Sequence, residues 1–305
     1  MDKKDFYINH LYLKGRKLKE IKGNLVAIKY KKYSFIGIGI IILILIFGLF
    51  WLYSSQKEII RAQLIIDSGI VQIKHEGTDW IVAENGVLLA QSDAIRTGNN
   101  SSASVILFES SIIRLANNTE IMIKELVSLA EETNVKIQQE SGRTWNTLLK
   151  ISGIDTYEVQ TPTTIASVRG TSFYVSVLQN GSTNVGVVRG IINVSSLHDN
   201  QTVDGIDLEE GFFVIINPDQ LQIPLVSIPL VYDDWIEENI QKEEVFIEGV
   251  KGDVFERISP YIDELKDRFG ITEEELEALI EGYLKGYYDL PSETPDWVRD
   301  IIEDN

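Results

Sequence analysis

The residues with the clearest chemical signature are Asp67-Ser68-Gly69, which have the form of an aspartyl-protease loop. An active site of that type needs two carboxylates that share one proton. The chain contains no second Asp-Ser-Gly or Asp-Thr-Gly, so a protease would require two copies of it. The same residues also fit the start of a β domain, which is the interpretation we prefer.

Other catalytic and metal-binding patterns are missing from the sequence. The histidines His10, His75 and His198 are scattered, and no pair has the spacing of zinc ligands. The chain has no cysteine, which excludes thiolate metal sites and a cysteine nucleophile. The acidic stretch Asp199–Glu210 lacks EF-hand spacing and fits a solvated hairpin better than a cation site. We therefore predict no enzyme activity, no catalytic residue, no cofactor and no metal.

Charge is divided unevenly along the 305 residues. Residues Met1 to Tyr33 contain ten Lys or Arg and three Asp or Glu, a net charge of +7, whereas the rest of the chain carries −25. An acidic domain of that size repels phosphate backbones, so we expect no nucleic-acid partner.

An uncharged segment, Ser34–Gln56, follows the basic one and contains the apolar run Phe35–Tyr53. A helix of about 20 apolar residues covers the roughly 30 Å hydrocarbon core of a bilayer. We predict that residues 34–56 form a transmembrane helix that acts as a signal anchor. Residues 1–33 would then be a cytoplasmic tail, residues 57–68 a stalk, and the rest of the chain would lie outside the cell membrane. A buried core helix and a cleaved signal peptide are the alternatives.

Short apolar runs separated by turn residues make up the next part of the chain, for example Ser104–Phe108. Phe173–Leu178 and Asn184–Val188 flank Asn180-Gly181, which favours a tight hairpin turn. Many short strands at near-regular spacing predict a mainly β domain over residues 69–217, of the sandwich, barrel or short solenoid type.

The last part of the chain is predicted to be helical. Apolar stripes at helical spacing run from Phe255 to Phe269 and from Leu276 to Tyr287. Thr272 and Glu275 form the pattern of a capping box. We predict an acidic helical tail over 255–305, an antiparallel pair joined to the β domain by a linker or extension at 218–254. We expect removal of this tail to leave the β domain folded.

Six asparagines between Lys57 and Tyr232 lie in Asn-x-Ser/Thr sequons and are candidate glycosylation sites: Asn99, Asn100, Asn117, Asn180, Asn193 and Asn200. Their number agrees with an exported domain. A β surface rich in serine and threonine would produce the same sequons by accident, and the sequence leaves both explanations open.

Several motifs in order over residues 69–214 resemble the FecR-type domain, named for a regulator of iron-dicitrate transport. The most characteristic is Thr161-Pro162-Thr163-Thr164-Ile165-Ala166, which continues to Val168-Arg169-Gly170-Thr171 and Phe173. The family-motif residues, for which we predict structural roles, are Trp80, Gly86, Asp93, Arg96, Gly98, Arg114, Gly142, Arg143, Pro162, Arg169, Gly170, Thr171 and Phe173. The resemblance implies an all-β domain of stacked short strands without catalytic activity. The signalling relatives carry a sigma-factor-binding helical domain that a basic segment of 33 residues cannot supply, so that specific role is not expected.

We therefore predict a membrane-anchored, non-enzymatic sensor, adaptor or envelope-assembly module that contacts the lipid bilayer and another envelope protein or a glycan. A structural envelope component that associates with itself is the alternative, and an exported hydrolase is a distant third.

Overall fold

Two β-sheets and a helical unit form the part of the chain that the computed structural model describes, namely residues 62–129, 132–168, 170–198, 201–219 and 228–303. The strands are β1 (Ala62–Ser68), β2 (Val71–Lys74), β3 (Ile81–Val82), β4 (Leu88–Leu89), β5 (Ala94–Thr97), β6 (Ser102–Leu107), β7 (Ser111–Leu115), β8 (Glu120–Leu129), β9 (Glu132–Leu148), β10 (Thr156–Gln160), β11 (Thr164–Val168), β12 (Ser172–Val177), β13 (Thr183–Arg189), β14 (Ile191–His198), β15 (Gln201–Glu209), β16 (Phe212–Ile216) and β17 (Ile228–Pro229).

The strands divide into two sheets that share one member. Sheet A has the spatial order β4-β1-β6-β7-β9-β12-β13-β16-β17. Sheet B has the order β3-β2-β5-β8-β9-β10-β11-β14-β15. These neighbours are antiparallel, except that β9 and β10 are parallel. Residues 132–141 of β9 pair within sheet B and residues 142–148 within sheet A.

Gly142 marks the point where β9 passes from one sheet to the other. Its φ angle is +82°, a conformation that L side chains rarely adopt. A Cβ atom at this position would lie 2.4 Å from the Cα atom of Thr119, so only glycine fits. The crossing of β9 therefore depends on one residue without a side chain.

Apolar side chains from the facing sides of the sheets form the main core. Phe173 of sheet A and Tyr157 of sheet B are both fully buried and make an edge-to-face contact with ring centroids 6.3 Å apart. Leu64, Ile95 and Ile121 are buried in the same cluster. Burial of each such side chain stabilises the sandwich by roughly 1.5–3 kcal/mol.

An internal repeat of topology organises the sandwich. Strand β5 lies in sheet B, the β6–β7 hairpin lies in sheet A, and β8 returns to sheet B beside β5. Strand β11, the β12–β13 hairpin and β14 repeat this path, with β14 beside β11. The hairpin predicted at Asn180-Gly181 is the turn of the second copy, so that prediction is confirmed.

The helical unit follows β17. Its helices are α1 (Asp234–Ile258), α2 (Ile262–Phe269), α3 (Glu273–Leu284) and α4 (Asp296–Glu303), with a 3₁₀ turn at Ser259–Tyr261 between the first two. Thr272 and Glu275 form the predicted capping box at the start of α3, and Gly270 ends α2 in the left-handed conformation. Residues 234–254, which we assigned to the linker or extension at 218–254, make up most of α1.

The helical unit has a core of its own that the β sandwich helps to complete. Val254, Ile280 and Tyr283 are buried there together with two residues of the β part. These are Leu149, which follows β9, and Ile151 of the 3₁₀ turn at Lys150–Ser152. Removing the helices would therefore expose Leu149 and Ile151 of the β part. That the β domain stays folded without residues 255–305 stays a prediction.

The predicted fold class requires a correction. The mainly β character and the C-terminal helices are present, but the transmembrane helix is not supported, because no helix in the described residues is both long and apolar enough to span a bilayer. The longest, α1, carries eight acidic and three basic residues. The basic tail, residues 34–56 and the start of the stalk lie outside the described residues, so the predicted location stays a prediction.

Candidate recognition surface

Helix α1 lies against the outer face of sheet A. Trp145 of β9, Tyr174 of β12 and Ile236 of α1 are buried together in a small apolar cluster. Trp235, one residue before Ile236, makes an edge-to-face contact with Trp145 at 6.1 Å between ring centroids. The apolar part of this interface is small, so polar contacts must contribute to the position of the helix.

The central polar contact is a buried carboxylate, Glu243 of α1, which is only 6% exposed. Its Oε2 accepts hydrogen bonds from Trp145 Nε1 and Thr147 Oγ1, both at 3.1 Å. Its Oε1 accepts one from Ser172 Oγ at 2.6 Å and lies 2.9 Å from Nη2 of Arg189, which is equally buried. A buried charge is tolerated only when it is paired and hydrogen-bonded, and strands β9, β12 and β13 supply these partners.

Arg114 of β7 makes a second contact with the helix. Its Nη2 donates to the backbone carbonyl of Lys242 at 3.1 Å. Burial lowers the pKa of Arg114, although the nearby carboxylates of Glu243 and Asp67 act in the opposite direction. Its Nη1 and the Nε and Nη1 atoms of Arg189 are buried and make no hydrogen bond within the described part of the chain. The polar interface is therefore incompletely satisfied.

Arg143 connects β9 to the start of α1. Its guanidinium lies between two aromatic rings, 4.0 Å from the centroid of Trp235 and 4.8 Å from that of Tyr174. Its Nη1 pairs with Asp233 Oδ2 at 2.7 Å, while Asp233 Oδ1 accepts from Ile236 N at 2.8 Å and caps α1. Partial burial acts to raise the pKa of Asp233, but the hydrogen bonds from Arg143 and Ile236 outweigh it, and the pKa is lowered.

Three open clefts follow the N-terminal half of α1. The first, about 250 Å³, is lined by Arg114, Asn117 and Trp235 among others. The second, about 780 Å³, shares Asn117 and Trp235 with the first and is also lined by Arg143 and Ser176. The third, about 390 Å³, again includes Arg143 and Ser176. The first and second clefts, and the second and third, have lining residues in common, and we call the three together the α1 groove.

Comparison with known proteins finds a family resemblance within the sandwich. A profile of the family described as FecR protein matches residues 93–193. The resemblance to the FecR-type domain is confirmed. The matched segment runs from the residue before β5 into β14, so it contains both copies of the repeated path and leaves the helical unit outside.

No curated protein resembles the chain at a significant level. Two crystal structures of a candidate anti-sigma factor from Parabacteroides distasonis ATCC 8503, at 1.65 and 2.50 Å resolution, show a partial likeness with 19% sequence identity and a TM-score of 0.35. The alignment covers 45% of this chain and 59% of that protein. A TM-score of 0.35 is too low to establish a shared fold.

Three residues of the FecR-type motif line the α1 groove: Arg114, Gly142 and Arg143. The others do not. Trp80, expected in the core, is only partly buried and lies under Arg96, with the guanidinium 4.3 Å from its ring centroid.

The remaining motif residues lie at turns and in the core. Asp93 is buried, accepts a hydrogen bond from Ala90 N and lies 2.8 Å from His75 Nδ1. Thr171 and Phe173 are buried, whereas Pro162 is exposed. Gly86 and Gly170 have positive φ angles, Gly98 approaches the carbonyl of Ile70, and Arg169 lies outside the described residues.

The other candidate residues from the sequence do not form a site. Asn99, Asn100, Asn117, Asn180 and Asn193 are exposed, Asn200 lies outside the described residues, and nothing supports glycosylation at any of them. Asp67 accepts a hydrogen bond from Ser104 Oγ at 2.8 Å. Within the described residues, no group of three or more His, Asp and Glu side chains is placed to hold a metal ion.

Sequence reasoning missed Glu243, although a signal for it exists. Ile236, Ile240, Ile247 and Val250 recur at helical spacing along α1, and Glu243 occupies the position in this stripe where another apolar residue is expected. A carboxylate in an otherwise apolar stripe indicates a buried partner of opposite charge.

Proposed function

We propose that the chain is a non-enzymatic sensor or adaptor in which the α1 groove is the recognition site. The observation that carries the proposal is the position of Arg143. This residue belongs to the FecR-type domain, lines the groove and pairs with Asp233 at the start of α1. A ligand in the groove would therefore touch the FecR-type domain and the helical unit at once.

Contact with both parts gives a route from binding to a signal. A ligand shifts a conformational equilibrium only if it binds the two states with different affinity. Trp235 and Arg143 line the groove in the docked arrangement, where they stack on each other. A ligand that needs both side chains in place would bind the docked helix more tightly and would stabilise it.

Site-specific photo-crosslinking of the full chain in intact cells tests this proposal. A crosslinker replaces Leu178, which is 50% exposed and lines the groove, or Val245, which is 73% exposed on α1 and lines none of the three clefts. We expect one defined product with a distinct macromolecule from position 178 and none from position 245. Equal products from both positions would refute a specific groove.

A structural, self-associating role is the second candidate, because apolar side chains are exposed at one end of both sheets. Strand β3 is an edge of sheet B and β4 is an edge of sheet A. Ile81, Val82 and Leu88 on these strands are 53%, 66% and 52% exposed. Exposed apolar edge strands favour pairing with another chain.

The two candidates make different predictions for one variant. Val82→Lys places a charge on the β3 edge and should abolish association of the full chain with itself, if such association occurs. We expect sedimentation of the wild type and of Val82→Lys to be identical, and the crosslink from Leu178 to be unaffected. A loss of oligomers on Val82→Lys would favour the structural role.

A further inference from the structure

The outer face of sheet A presents arginine and aromatic side chains where helix α1 crosses it. In the strand register, Arg114 of β7 lies opposite Trp145 of β9, which lies opposite Tyr174 of β12. Arg143, two residues before Trp145, points to the same side of β9, because side chains alternate along a strand. Arg189 at the end of β13 completes the set, which we call the Arg-aromatic face.

The carboxylates that pair with this face come largely from α1. Arg143 pairs with Asp233 and Arg189 pairs with Glu243, both of which belong to the helix or its cap. Removing α1 would therefore leave two guanidinium groups without the carboxylates that they now contact. In a chain with a net charge of −18, the helix covers a cationic surface that attracts acidic groups.

The helix satisfies the Arg-aromatic face only in part. Arg114 and Arg189 are 8% and 5% exposed. Nη1 of Arg114 and both Nε and Nη1 of Arg189 are buried, yet they have no hydrogen-bond partner within the described residues. Each buried donor without a partner opposes docking of α1. A helix whose side chains reach these donors would make contacts that α1 does not make.

Helix α1 has two halves with different partners. Ile236 and Glu243 of the first half contact the Arg-aromatic face, whereas Val254 of the second half lies in the core of the helical unit. Gly249 and Gly252 follow the boundary, and a side chain at either position would meet open space, so packing does not require glycine there. Glycine weakens a helix and favours bending. The first half has a place to separate from the second.

The covered face and its cover differ in their relation to the family. All five residues of the Arg-aromatic face lie within the segment 93–193 that matches the FecR model, whereas α1 lies outside it. The FecR-type segment thus carries the binding surface, and the added helix occupies it.

We propose that the Arg-aromatic face is a docking site for an acidic amphipathic helix of a partner protein, and that the first half of α1 competes with this helix and is released by bending at Gly249 and Gly252. The partner helix resembles α1 in having a glutamate two turns after an apolar residue, the spacing of Glu243 and Ile236. A second copy would supply the same α1 and leave the same donors unsatisfied, so a different helix gains more. The inference goes beyond the proposed function, because it concerns the face under α1.

Fluorescence anisotropy with the full chain tests the competition. The probe is a labelled synthetic peptide with the sequence of residues 232–247, which stands for the partner helix. We expect it to bind the wild type at millimolar concentration or below, and to bind Glu243→Gln at least ten-fold more tightly, because this variant docks its own α1 less well. Glu238→Gln, which alters an exposed pair, should bind like the wild type. A wild type that binds no peptide, or equal affinity of all three chains, would overturn the inference.

Two controls test the role of the carboxylate and protect against misfolding. The same peptide with Glu243→Gln should bind each chain at least ten-fold more weakly, and equal affinity of the two peptides would refute recognition of an acidic helix. Asp233→Asn in the full chain weakens the contact with Arg143 without leaving a buried charge unpaired, since Asp233 is 54% exposed. It should also bind the peptide more tightly than the wild type, whether or not the Glu243→Gln chain folds.

Release at the glycines and the choice of partner have separate readouts. Replacing both Gly249 and Gly252 by alanine stiffens α1 and should weaken binding of the peptide about five-fold or more, which corresponds to the helix propensity of one such residue. Unchanged affinity would refute release at these positions. Sedimentation of the wild type identifies the occupant: a dimer that the peptide dissociates would show that a second copy docks on the face and would overturn the choice of a partner protein.

Discussion

Replacing Glu243 by glutamine is the sharpest test of how the helical unit is attached. Glutamine keeps the size and shape of the side chain and removes its charge. Arg189, which is 5% exposed, then remains as a buried cation without its carboxylate. One of the two oxygens also becomes an NH₂ group, which cannot accept from Ser172 Oγ or from Trp145 Nε1.

The size of the effect follows from the burial of the pair. Removing one partner of a buried ion pair typically destabilises a protein by about 3–5 kcal/mol, mainly because the other charge stays buried. For domains of roughly 150–250 residues, each 1 kcal/mol lowers the melting temperature by about 2–4 °C. We therefore expect Glu243→Gln to melt roughly 6–20 °C below the wild type.

The control is Glu238→Gln, one turn earlier on the same helix. Glu238 is 58% exposed and pairs with Lys242 at 2.7 Å. An exposed pair of this kind contributes about 0.3–0.5 kcal/mol, so its loss should shift the melting temperature by less than about 2 °C. Thermal unfolding followed by near-ultraviolet circular dichroism, which reports on Trp145, measures both variants.

A second substitution separates the lone charge from other causes. Adding Arg189→Gln to Glu243→Gln removes the unpaired cation and should restore part of the lost stability. If Glu243→Gln and Glu238→Gln melt at the same temperature, then the Glu243 carboxylate is solvated in solution and does not attach the helix to sheet A. Arg189→Gln is also measured in the wild-type background. If it lowers the stability of Glu243→Gln by the same free energy as it lowers that of the wild type, the two residues are not coupled.

Three further predictions concern single positions. Gly142→Ala should destabilise the protein by about 3 kcal/mol or more in thermal unfolding, because its Cβ would meet Thr119 in a backbone that already has positive φ. At Gly153, where φ is +63° and the space is open, the change to alanine should cost only the backbone strain of about 1–2 kcal/mol. Gly170→Val should lower the free energy of unfolding by about 2 kcal/mol or more and Gly170→Asn by less than about 1 kcal/mol, because φ there is +65° and asparagine tolerates that angle. Equal losses of the two variants in urea unfolding would contradict this reason. The pKa of Asp233 is lowered by folding, so its contribution is complete above the unfolded pKa of about 3.9 and is lost as pH falls through the lower folded pKa. Wild type and Asp233→Asn should therefore differ in melting temperature at pH 7 and converge as pH falls through the folded pKa.

Local features were readable from the sequence because their causes are local. The turn at Asn180-Gly181 joins strands Ser172–Val177 and Thr183–Arg189, within a residue or so of the predicted limits. The positive φ of Gly170 and the capping box at Thr272 also follow from short-range sterics and hydrogen bonds. The repeated sheet path was not readable, since strand pairing depends on contacts between distant residues.

The two long elements, β9 and α1, escaped sequence reasoning for physical reasons. Strand β9 is rich in polar residues such as Gln139, Thr144 and Asn146, and these are buried through hydrogen bonds to one another rather than through apolar contact. Helix α1 contains Gly249 and Gly252, each of which weakens a helix by about 1 kcal/mol relative to alanine, and Glu243 interrupts its apolar stripe. Both elements are stabilised by partners that only the fold brings near.

The polar character of the α1 interface bears on whether the helical unit is only a cover for sheet A. A helix that only covers a sheet is most stable when its contact surface is apolar. Proteins in which a buried ion pair is replaced by well-packed apolar residues are often as stable as before or more stable. At this interface a single carboxylate, Glu243, collects its partners from β9, β12 and β13, while donors on Arg114 and Arg189 stay unsatisfied. Docking of α1 therefore depends in part on one buried charge pair. Lys242, the residue before Glu243, lines the first cleft, so a ligand bound there, as proposed, would contact α1 one residue from that pair.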